Sequence, residues 1–344
     1  MNRSTPAALG YRMPPEWHRH SATWLAWPKD PATWPDRVPA AQETFLAVMA
    51  ALLVHETVHL LVDDEAAEQT VRSRLGGASV KDSVIYHRVR TADSWIRDYG
   101  PNFLLGRDDA PAYNDWIFNA WGNKYEELKK DDAIPARLER ILGIPRFAPG
   151  IVLEGGSIEV DGGGVCMTTE QCLLNPNRNP RLSRKQIEQH LRDYLGVEKI
   201  LWLGEGISGD DTDGHIDDLA RFVSPETIVC ALEDDPQDPN YAPLRENRRR
   251  LESATNARGL AYAIVPLPMP KPVYGDAGRL PASYANFYIA NGFVLVPTFG
   301  DPNDRRALEV LGKVFPGRSV LGVDCRDLVW GMGTIHCITQ QQPR

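Results

Sequence analysis

The chain has 344 residues and a formal charge of −8, with 42% hydrophobic and 24% charged residues. This composition excludes general disorder, and the length is enough for a large core without disulfides or metals, with about two domains expected from length alone. The acidic balance argues against nucleic acid and anionic membranes as partners and is compatible with small cationic ligands.

Five segments have the spacing of apolar residues that is typical of helices. We expect Ser183 and Asn303 to be N-caps, because their side chains can accept hydrogen bonds from the first helical N–H groups. Gly196 and Gly317 are expected to end their helices, since glycine tolerates the left-handed conformation found there. The predicted helices are 41–54, 64–75, 183–195, 241–257 and 303–315.

Apolar, β-rich runs follow the helices and also occur in pairs. The single runs are 58–62, 84–89, 200–203, 261–267 and 320–323. The paired runs, predicted as hairpins, are 158–160 with 165–168, 221–223 with 227–232, and 287–290 with 293–297. Asn291-Gly292 in the last pair is a strong signal for a two-residue turn.

Hairpins thus alternate with helix–strand pairs about five times, without a sharp sequence repeat. A doubly wound parallel sheet is the usual arrangement for alternating helices and strands. The hairpins count against it, because parallel neighbours need crossovers rather than tight turns. The pattern favours a closed ring of mixed α/β units.

The cysteine count and the N-terminal residues bear on location. The five cysteines form no dense disulfide framework. The N-terminus, 1–6, lacks the layout of a signal peptide, and no stretch approaches the roughly 20 apolar residues of a membrane span. We therefore expect a reduced protein in the cytoplasm.

Cys337 lies in a glycine-punctuated segment, Gly331-Met332-Gly333-Thr334-Ile335-His336-Cys337-Ile338-Thr339-Gln340-Gln341. Glycine allows a ligand or another backbone to approach closely, and an apolar terminal segment is expected to be tied into the core. A buried structural thiol and a nucleophile are both compatible with this environment. A nucleophilic thiol needs a base or a positive partner.

His215 is the candidate partner, within Gly209-Asp210-Asp211-Thr212-Asp213-Gly214-His215-Ile216-Asp217-Asp218. Nearby carboxylates raise a histidine pKa and fix its tautomer. If the segment is extended, His215 and Asp217 point to the same face. A solvated acidic turn is the alternative. A calcium loop does not fit, because the EF-hand register puts Gly209 first and Ala220 twelfth.

Asp98 and Glu154 complete the candidate set. Asp98 lies between Trp95 and Gly100-Pro101, and Glu154 precedes a glycine pair. Each taken alone is compatible with a turn residue or a simple bulge. With the thiol and the imidazole they favour a planar cation, because carboxylates pair bidentately with guanidinium and leave its carbon open to sulfur.

Two kinds of metal site are alternatives to this interpretation. Zinc finds no support in the cysteine spacing, since Cys166 and Cys172 do not form a CxxC pair. A metal-dependent hydrolase would use the pair His18 and His20 and would need further ligands in register.

Eight short motifs occur in order along nearly the whole chain. They are Met13-Pro14-Pro15-Glu16-Trp17, Trp24-Leu25-Ala26-Trp27-Pro28, the 95–101 stretch, Asn119-Ala120-Trp121-Gly122, Glu154-Gly155-Gly156-Ser157, Gly214-His215-Ile216-Asp217, Tyr284-Ala285-Asn286-Phe287 and Gly333-Thr334-Ile335-His336-Cys337. Together they resemble the agmatine deiminase family, a branch of the guanidine-modifying enzymes related to bacterial-type peptidyl-arginine deiminases. The resemblance implies one catalytic domain over 1–344, a five-bladed, pseudo-symmetric α/β propeller of ββαβ-type units.

The resemblance also implies residue roles. Cys337 would be the nucleophile, and His215 the general acid and base, which Glu154 orients. Asp98 and Asp217 would bind the guanidinium group.

Three further residues are assigned to substrate binding by the same resemblance. Asn286 would be a polar group near the thiol, and Trp95 would flank the alkyl chain. Asp211 stands where some relatives carry Glu as a contact for the distal amine, and the shorter Asp reaches less far.

The implied reaction converts agmatine to N-carbamoylputrescine and ammonia in polyamine biosynthesis, through a covalent thiouronium intermediate and without metal or organic cofactor. Peptidyl-arginine deimination is the alternative within the superfamily. The implied partner is a small cationic guanidine, not nucleic acid or membrane. The sequence is compatible with a homo-oligomer and does not specify one.

Overall fold

The computed structural model describes residues 5–75 and 83–344. Its strands form five sheets with one shared pattern, in which an antiparallel pair is extended by a parallel strand. The second sheet contains Asn102–Leu105, Pro111–Asn114 and Arg146–Phe147, and the third contains Glu159–Val160, Val165–Thr169 and Lys199–Leu203. The fourth contains Ala220–Ser224, Thr227–Leu232 and Ala263–Pro268, and the fifth contains Tyr288–Ile289, Phe293–Thr298 and Ser319–Asp324. The prediction of a mixed α/β fold is confirmed.

The first sheet joins the two ends of the described chain. His20–Ala26 pairs antiparallel with Gln340–Pro343 and parallel with Thr57–Val62. A fourth strand, Val84–Arg88, extends this sheet in parallel. A small separate hairpin pairs Tyr274–Gly275 with Gly278–Arg279. The C-terminal strand, rich in Gln, was not predicted because its residues lack an apolar alternation.

Helices make the crossovers that the parallel pairs need. The crossover helices are Val38–Leu52, Ile134–Leu142, Arg184–Leu195, Tyr241–Glu252 and Asn303–Val314. Glu65–Arg74 leads to the additional strand of the first sheet. The shorter helices are Ile96–Tyr99 and Glu170–Leu173, while Ala120–Asn123 is a turn with positive φ angles. The alternation was predicted to occur about five times, and five sheets are found. One of the five predicted helices was assigned wrongly: the helix predicted at 64–75 is not one of these crossovers, and the crossover helix Ile134–Leu142 was not predicted.

Helix ends test the predicted caps. Ser183 is an N-cap whose N–H donates to Gln186 Oε1 at 2.9 Å, and Gly196 adopts φ 68° at the C-cap. Two predictions were wrong. Asn303 is the first helical residue after Pro302, and the last helix ends at Val314 rather than at Gly317.

Other boundaries shift by a few residues. The helix predicted over 241–257 ends at Glu252, and Gly292 takes φ 83° in the predicted Asn291-Gly292 turn.

The prediction that the chain has no export signal was based on residues 1–6, of which 1–4 lie outside the described residues. Within the described ranges, no helix combines the length and apolar character that a membrane crossing needs.

A stacked aromatic cluster on the first sheet predicts acid sensitivity. His59 stacks on Trp24 with centroids 4.3 Å apart, and its Nδ1 lies 2.7 Å from His87 Nε2. Burial, with the nearby His87, lowers the pKa of His59 from 6.5 to about 4. Because the folded pKa lies below the unfolded one, this contribution to stability is complete above pH 6.5 and is lost as the pH falls toward 4.

We therefore expect the melting temperature to drop between pH 6.5 and 4, and to drop less in His59→Phe, which keeps the stacking but cannot be protonated. Thermal melts across that range measure the difference. His18→Phe, at a partly exposed ring whose Nδ1 lies near the Arg19 carbonyl, is the matched control. Equal acid slopes in wild type and His59→Phe would contradict this assignment.

Candidate active site

The predicted site residues occupy equivalent places in the fold. Each lies a few residues before the first strand of a sheet, in the segment that enters the antiparallel pair. Asp98 enters the second sheet, Glu154 the third, Asp217 the fourth and Asn286 the fifth, while Cys337 enters the strand that completes the first. The five segments thus bring together side chains that are far apart in sequence.

A cavity of about 580 Å³ opens onto this region. Trp95, Asp98, Trp121, Asp211 and Cys337 are part of its wall. Its other acidic lining residues are Asp30, Asp93, Glu126, Glu127 and Asp276. None of the described residues that line the cavity is Lys or Arg, so the cavity is suited to a cation. The remaining predicted residues are buried outside the lining: Glu154, His215, Asp217 and Asn286.

The Cys337 thiol is held among polar groups. Asn286 Nδ2 donates to Sγ at 3.2 Å, and Asp217 Oδ2 lies 3.8 Å from Sγ. Burial, followed by repulsion from Asp217, Asp218 and Asp98, raises the pKa of the Cys337 thiol well above its usual range. Without a cation nearby, the sulfur is therefore protonated.

Asp98, His215 and Asp217 converge on one glycine. A Cβ atom added to Gly156 would lie 2.7 Å from Asp98 Oδ1, 2.7 Å from His215 Nδ1 and 3.1 Å from Asp217 Oδ2. A side chain at this position would force the three groups apart. The predicted neighbourhood of these residues is thus found, although 216–218 form a 3₁₀ turn and not the extended segment that we considered.

Asp98 is fixed by two donors. Trp121 Nε1 donates to Oδ2 at 2.9 Å, and the Gly156 N–H donates to Oδ1 at 2.9 Å. Trp121 itself has φ 52°, a left-handed conformation that is strained for a bulky residue. Trp121 belongs to the Asn119-Ala120-Trp121-Gly122 motif, but its contact with Asp98 was not predicted from the sequence. The adjacent Gly122, a residue type common in turns, was the sequence signal for this conformation.

His215 is uncharged in this environment. Burial lowers its pKa to about 3, against the opposing effect of Asp217. The expectation that carboxylates raise this pKa was wrong, because loss of hydration outweighs their attraction. His215 Nδ1 lies 3.7 Å from Asp98 Oδ1, and Nε2 lies 4.0 Å from Glu154 Oε2.

Glu154 is paired on its other side. Arg178 Nε donates to Glu154 Oε1 at 2.8 Å, and Arg178 Nη1 donates to Asp213 Oδ2 at 2.6 Å. Both Glu154 Oε2 and His215 Nε2 are buried without a hydrogen-bond partner among the described residues. The two atoms face each other, so a small movement would join them. Arg178 was not predicted, since it lies in a loop without a motif.

Asp217 belongs to a buried chain of charges. His336 Nδ1 lies 2.7 Å from Asp217 Oδ2, and His336 Nε2 lies 2.7 Å from Glu16 Oε2. Burial alone would raise the pKa of Asp217, but the hydrogen bond and charge of His336, with His215 and Arg221, lower it. Sequence reasoning missed His336 and Glu16, although both lie in quoted motifs.

Asp211 and Trp95 lie along the cavity wall. Tyr125 OH donates to Asp211 Oδ2 at 2.5 Å, and Lys124 Nζ donates to the Asp211 carbonyl. Burial raises the pKa of Asp211 despite these contacts. Trp95 Nε1 donates to Asp93 Oδ2 at 2.9 Å, which directs the indole ring toward the glycine segment before Cys337.

The metal hydrolase hypothesis for His18 and His20 was wrong. His20 is buried, with Nδ1 3.2 Å from Glu56 Oε1 and Nε2 2.7 Å from the Glu16 carbonyl. Both ring nitrogens of His20 are therefore engaged by protein groups, which leaves neither free as a metal ligand. Of the residues described, Glu154, Cys172 and His215 alone place three ligand atoms within 4.8 Å of one another. Arg178 on Glu154 opposes a second cation there.

Comparisons with known proteins identify relatives of this chain. The family model described as Porphyromonas-type peptidyl-arginine deiminase matches residues 12–343. The agmatine deiminase of Stutzerimonas stutzeri (strain A1501) is 41% identical, with 99% of this chain and 97% of that protein covered.

Solved structures are similar as well. The agmatine deiminase of Enterococcus faecalis superposes with a TM-score of 0.94 at 36% identity, covering 100% of this chain and 99% of that one. A substrate-bound agmatine deiminase of C. jejuni has a TM-score of 0.89 at 31% identity, covering 97% and 96%. The predicted resemblance is confirmed: the chain belongs to the agmatine deiminase family, within the Porphyromonas-type peptidyl-arginine deiminase group.

Proposed function

We propose that this protein is an agmatine deiminase, a hydrolase that converts agmatine and water to N-carbamoylputrescine and ammonia. The observation that carries the proposal is the Cys337 thiol in an acid-lined cavity, with Asp98 and Asp217 beside it. The relatives that bear this name are similar over nearly their whole length. We place the reaction in polyamine biosynthesis, in which N-carbamoylputrescine would be a precursor.

The guanidinium group is bound by the two carboxylates. Asp98 is anchored by Trp121 and Gly156, and Asp217 by His336. Asp217 Oδ1 is buried without a hydrogen-bond partner among the described residues, so it is available to a substrate N–H. Planar, charge-assisted pairs of this kind orient the guanidinium and leave its carbon exposed.

Bound substrate activates the thiol. A guanidinium cation offsets the negative charges that raise the Cys337 pKa, and it attracts the thiolate. The uncharged His215 can then accept the proton from Cys337. Substrate binding thus precedes thiolate formation, which keeps the sulfur unreactive in the empty site.

The chemical steps balance with these groups. The thiolate forms a C–S bond at the guanidinium carbon, and His215 donates its proton to the departing nitrogen, so ammonia leaves and a thiouronium remains. His215 then removes a proton from water. The resulting hydroxide adds to the same carbon, and the C–S bond breaks with its electron pair on sulfur. The hydroxyl proton passes to that thiolate, which restores the Cys337 thiol and leaves the carbonyl of the product, and His215 releases its proton to solvent. Glu154 orients His215, and Asn286 holds the thiol by its Nδ2 donor.

The cavity favours agmatine over arginine. Arginine would carry its α-carboxylate into a wall whose charged lining residues are acidic. Asp211, with its Tyr125 partner, is the proposed contact for the distal ammonium of agmatine, and Trp95 flanks the alkyl chain. Peptidyl arginine stays the second candidate, since the matching family model bears that description.

An ammonia-release assay on agmatine, free arginine and an arginyl peptide tests the proposal. We expect kcat/KM for agmatine to exceed that for arginine by roughly 100-fold or more, because juxtaposing like charges costs several kcal/mol. The purified protein is compared at one pH with each substrate. Equal values for agmatine and arginine, or release from the peptide alone, would contradict the substrate assignment.

We further propose that the five sheets close into a five-bladed propeller as one domain over 1–344. Each sheet repeats the same order of an antiparallel and a parallel pair, and the first sheet takes its last strand from the C-terminal segment. Cytoplasmic location and self-association stay predictions.

A further inference from the structure

We propose that His336 is a positioning residue, which clamps Oδ2 of Asp217 so that Oδ1 is presented to the guanidinium group of the substrate. The inference rests on the proposed function and deepens it. It assigns a role to a residue that neither contacts the reacting carbon nor lines the cavity. Glu16, on the far side of the imidazole, is the anchor of the clamp.

The protonation of His336 follows from its two partners. Each ring nitrogen lies 2.7 Å from a carboxylate oxygen, Nδ1 from Asp217 and Nε2 from Glu16. An ionised carboxylate can only accept, so both nitrogens must donate and the ring is an imidazolium. The ring is buried, with 1% side-chain exposure, and its charge is therefore poorly screened by water.

Glu16 is held on the side away from the substrate. Arg221 Nη2 lies 2.9 Å from Glu16 Oε1, and the N–H of Ile289 donates to the same oxygen at 2.7 Å. Arg97, next to Asp98 in sequence, lies 3.5 Å from Glu16 Oε2. The clamp is thus tied to the segments of the second, fourth and fifth sheets and cannot turn freely.

The clamp has two effects on Asp217. It occupies Oδ2, which leaves Oδ1 as the acceptor that has no partner among the described residues. It also supplies a positive charge that favours the ionised carboxylate. Loss of this charge would raise the pKa of Asp217. Because the two carboxylates repel each other, the pKa of Asp98 depends on the charge of Asp217 and would change with it. The titratable and charged groups around Asp217 are Asp98, His215, Asp218, Arg221, His336 and Cys337.

The experiment compares His336→Gln with wild type in agmatine turnover between pH 4.5 and 9, together with thermal melts. Gln keeps one amide donor but no charge. We expect KM to rise on the order of ten- to hundredfold, the effect of one charge-assisted hydrogen bond, with a smaller change in kcat. The acid limb of kcat/KM, set by Asp98 and Asp217 as a pair, should move to higher pH.

His87→Gln is the matched control, because His87 is a partly buried imidazole whose Nε2 lies 2.7 Å from His59 Nδ1 and which forms no hydrogen bond to Glu16, Asp217 or His336. It should lower the melting temperature without moving the acid limb. If His336→Gln does not fold, Glu16→Gln takes its place, with a smaller shift expected in the same direction. Agmatine binding to a Cys337→Ala background should weaken on adding either change.

The results distinguish a failure of the clamp from a failure of the proposed function. An unmoved acid limb and unchanged agmatine binding in a folded His336→Gln variant would overturn the clamp and leave only a structural role. Failure of wild type to release ammonia from agmatine would instead overturn the proposed function. In that case, binding of guanidinium itself to the Cys337→Ala background, with and without the His336 change, still decides whether the clamp exists.

Discussion

Cys337→Ala is expected to lower kcat on agmatine by about 10⁴-fold or more, because the proposed covalent path has no other nucleophile. The described thiols other than Cys337 do not line the cavity. Agmatine binding should persist, since Asp98 and Asp217 remain, and calorimetry on the variant measures it. A stoichiometric adduct with a haloacetamidine, seen by mass spectrometry in wild type and absent from the variant, would locate the reactive sulfur.

Cys230→Ala is the matched control, a buried thiol in the strand Thr227–Leu232 away from the cavity. Because Cys230 lies outside the acid-lined cavity, away from the carboxylates that would hold an amidine beside the sulfur, it should not react and its variant should turn agmatine over at the wild-type rate. Retained turnover in Cys337→Ala would remove Cys337 as the nucleophile.

His215→Gln is expected to reduce kcat by about 10²- to 10⁴-fold, the usual range for loss of a general acid and base. A pKa of about 3 keeps the free imidazole uncharged at neutral pH, and it can therefore take the thiol proton when substrate binds. Gln cannot perform that transfer. Steady-state and single-turnover assays would show whether thiouronium formation or its hydrolysis is slowed.

The control for this variant is His190→Gln, a change on the helix Arg184–Leu195 far from the cavity lining. It should leave both kinetic constants near their wild-type values. A His215→Gln enzyme that forms and hydrolyses the adduct at the wild-type rate would contradict the general acid and base assignment.

Much of the fold could be predicted because the repeating units have clear periodicity. Ser183 and Gly196 marked both ends of one helix, and Asn291-Gly292 marked a hairpin. The strands His20–Ala26 and Gln340–Pro343 were missed. Their pairing joins distant parts of the chain, and no local pattern in a Gln-rich segment reports such a long-range partner.

Residue identities in the site were predictable, but their electrostatics were not. Carboxylates beside His215 in sequence suggested a raised pKa, whereas burial, which depends on the whole fold, lowers it. Likewise, His336 and Glu16 are far apart in sequence. Nothing in either segment indicates that they meet through a 2.7 Å contact.

The placement of one site segment at the entrance of every sheet has a consequence for how this enzyme becomes competent. A partly assembled chain that lacks any one sheet would lack a component of the site, so activity appears only when all five sheets are in place. The contacts that create it are long-range, and such contacts form late and slowly during folding. Folding intermediates therefore cannot hold a guanidinium group within reach of Cys337.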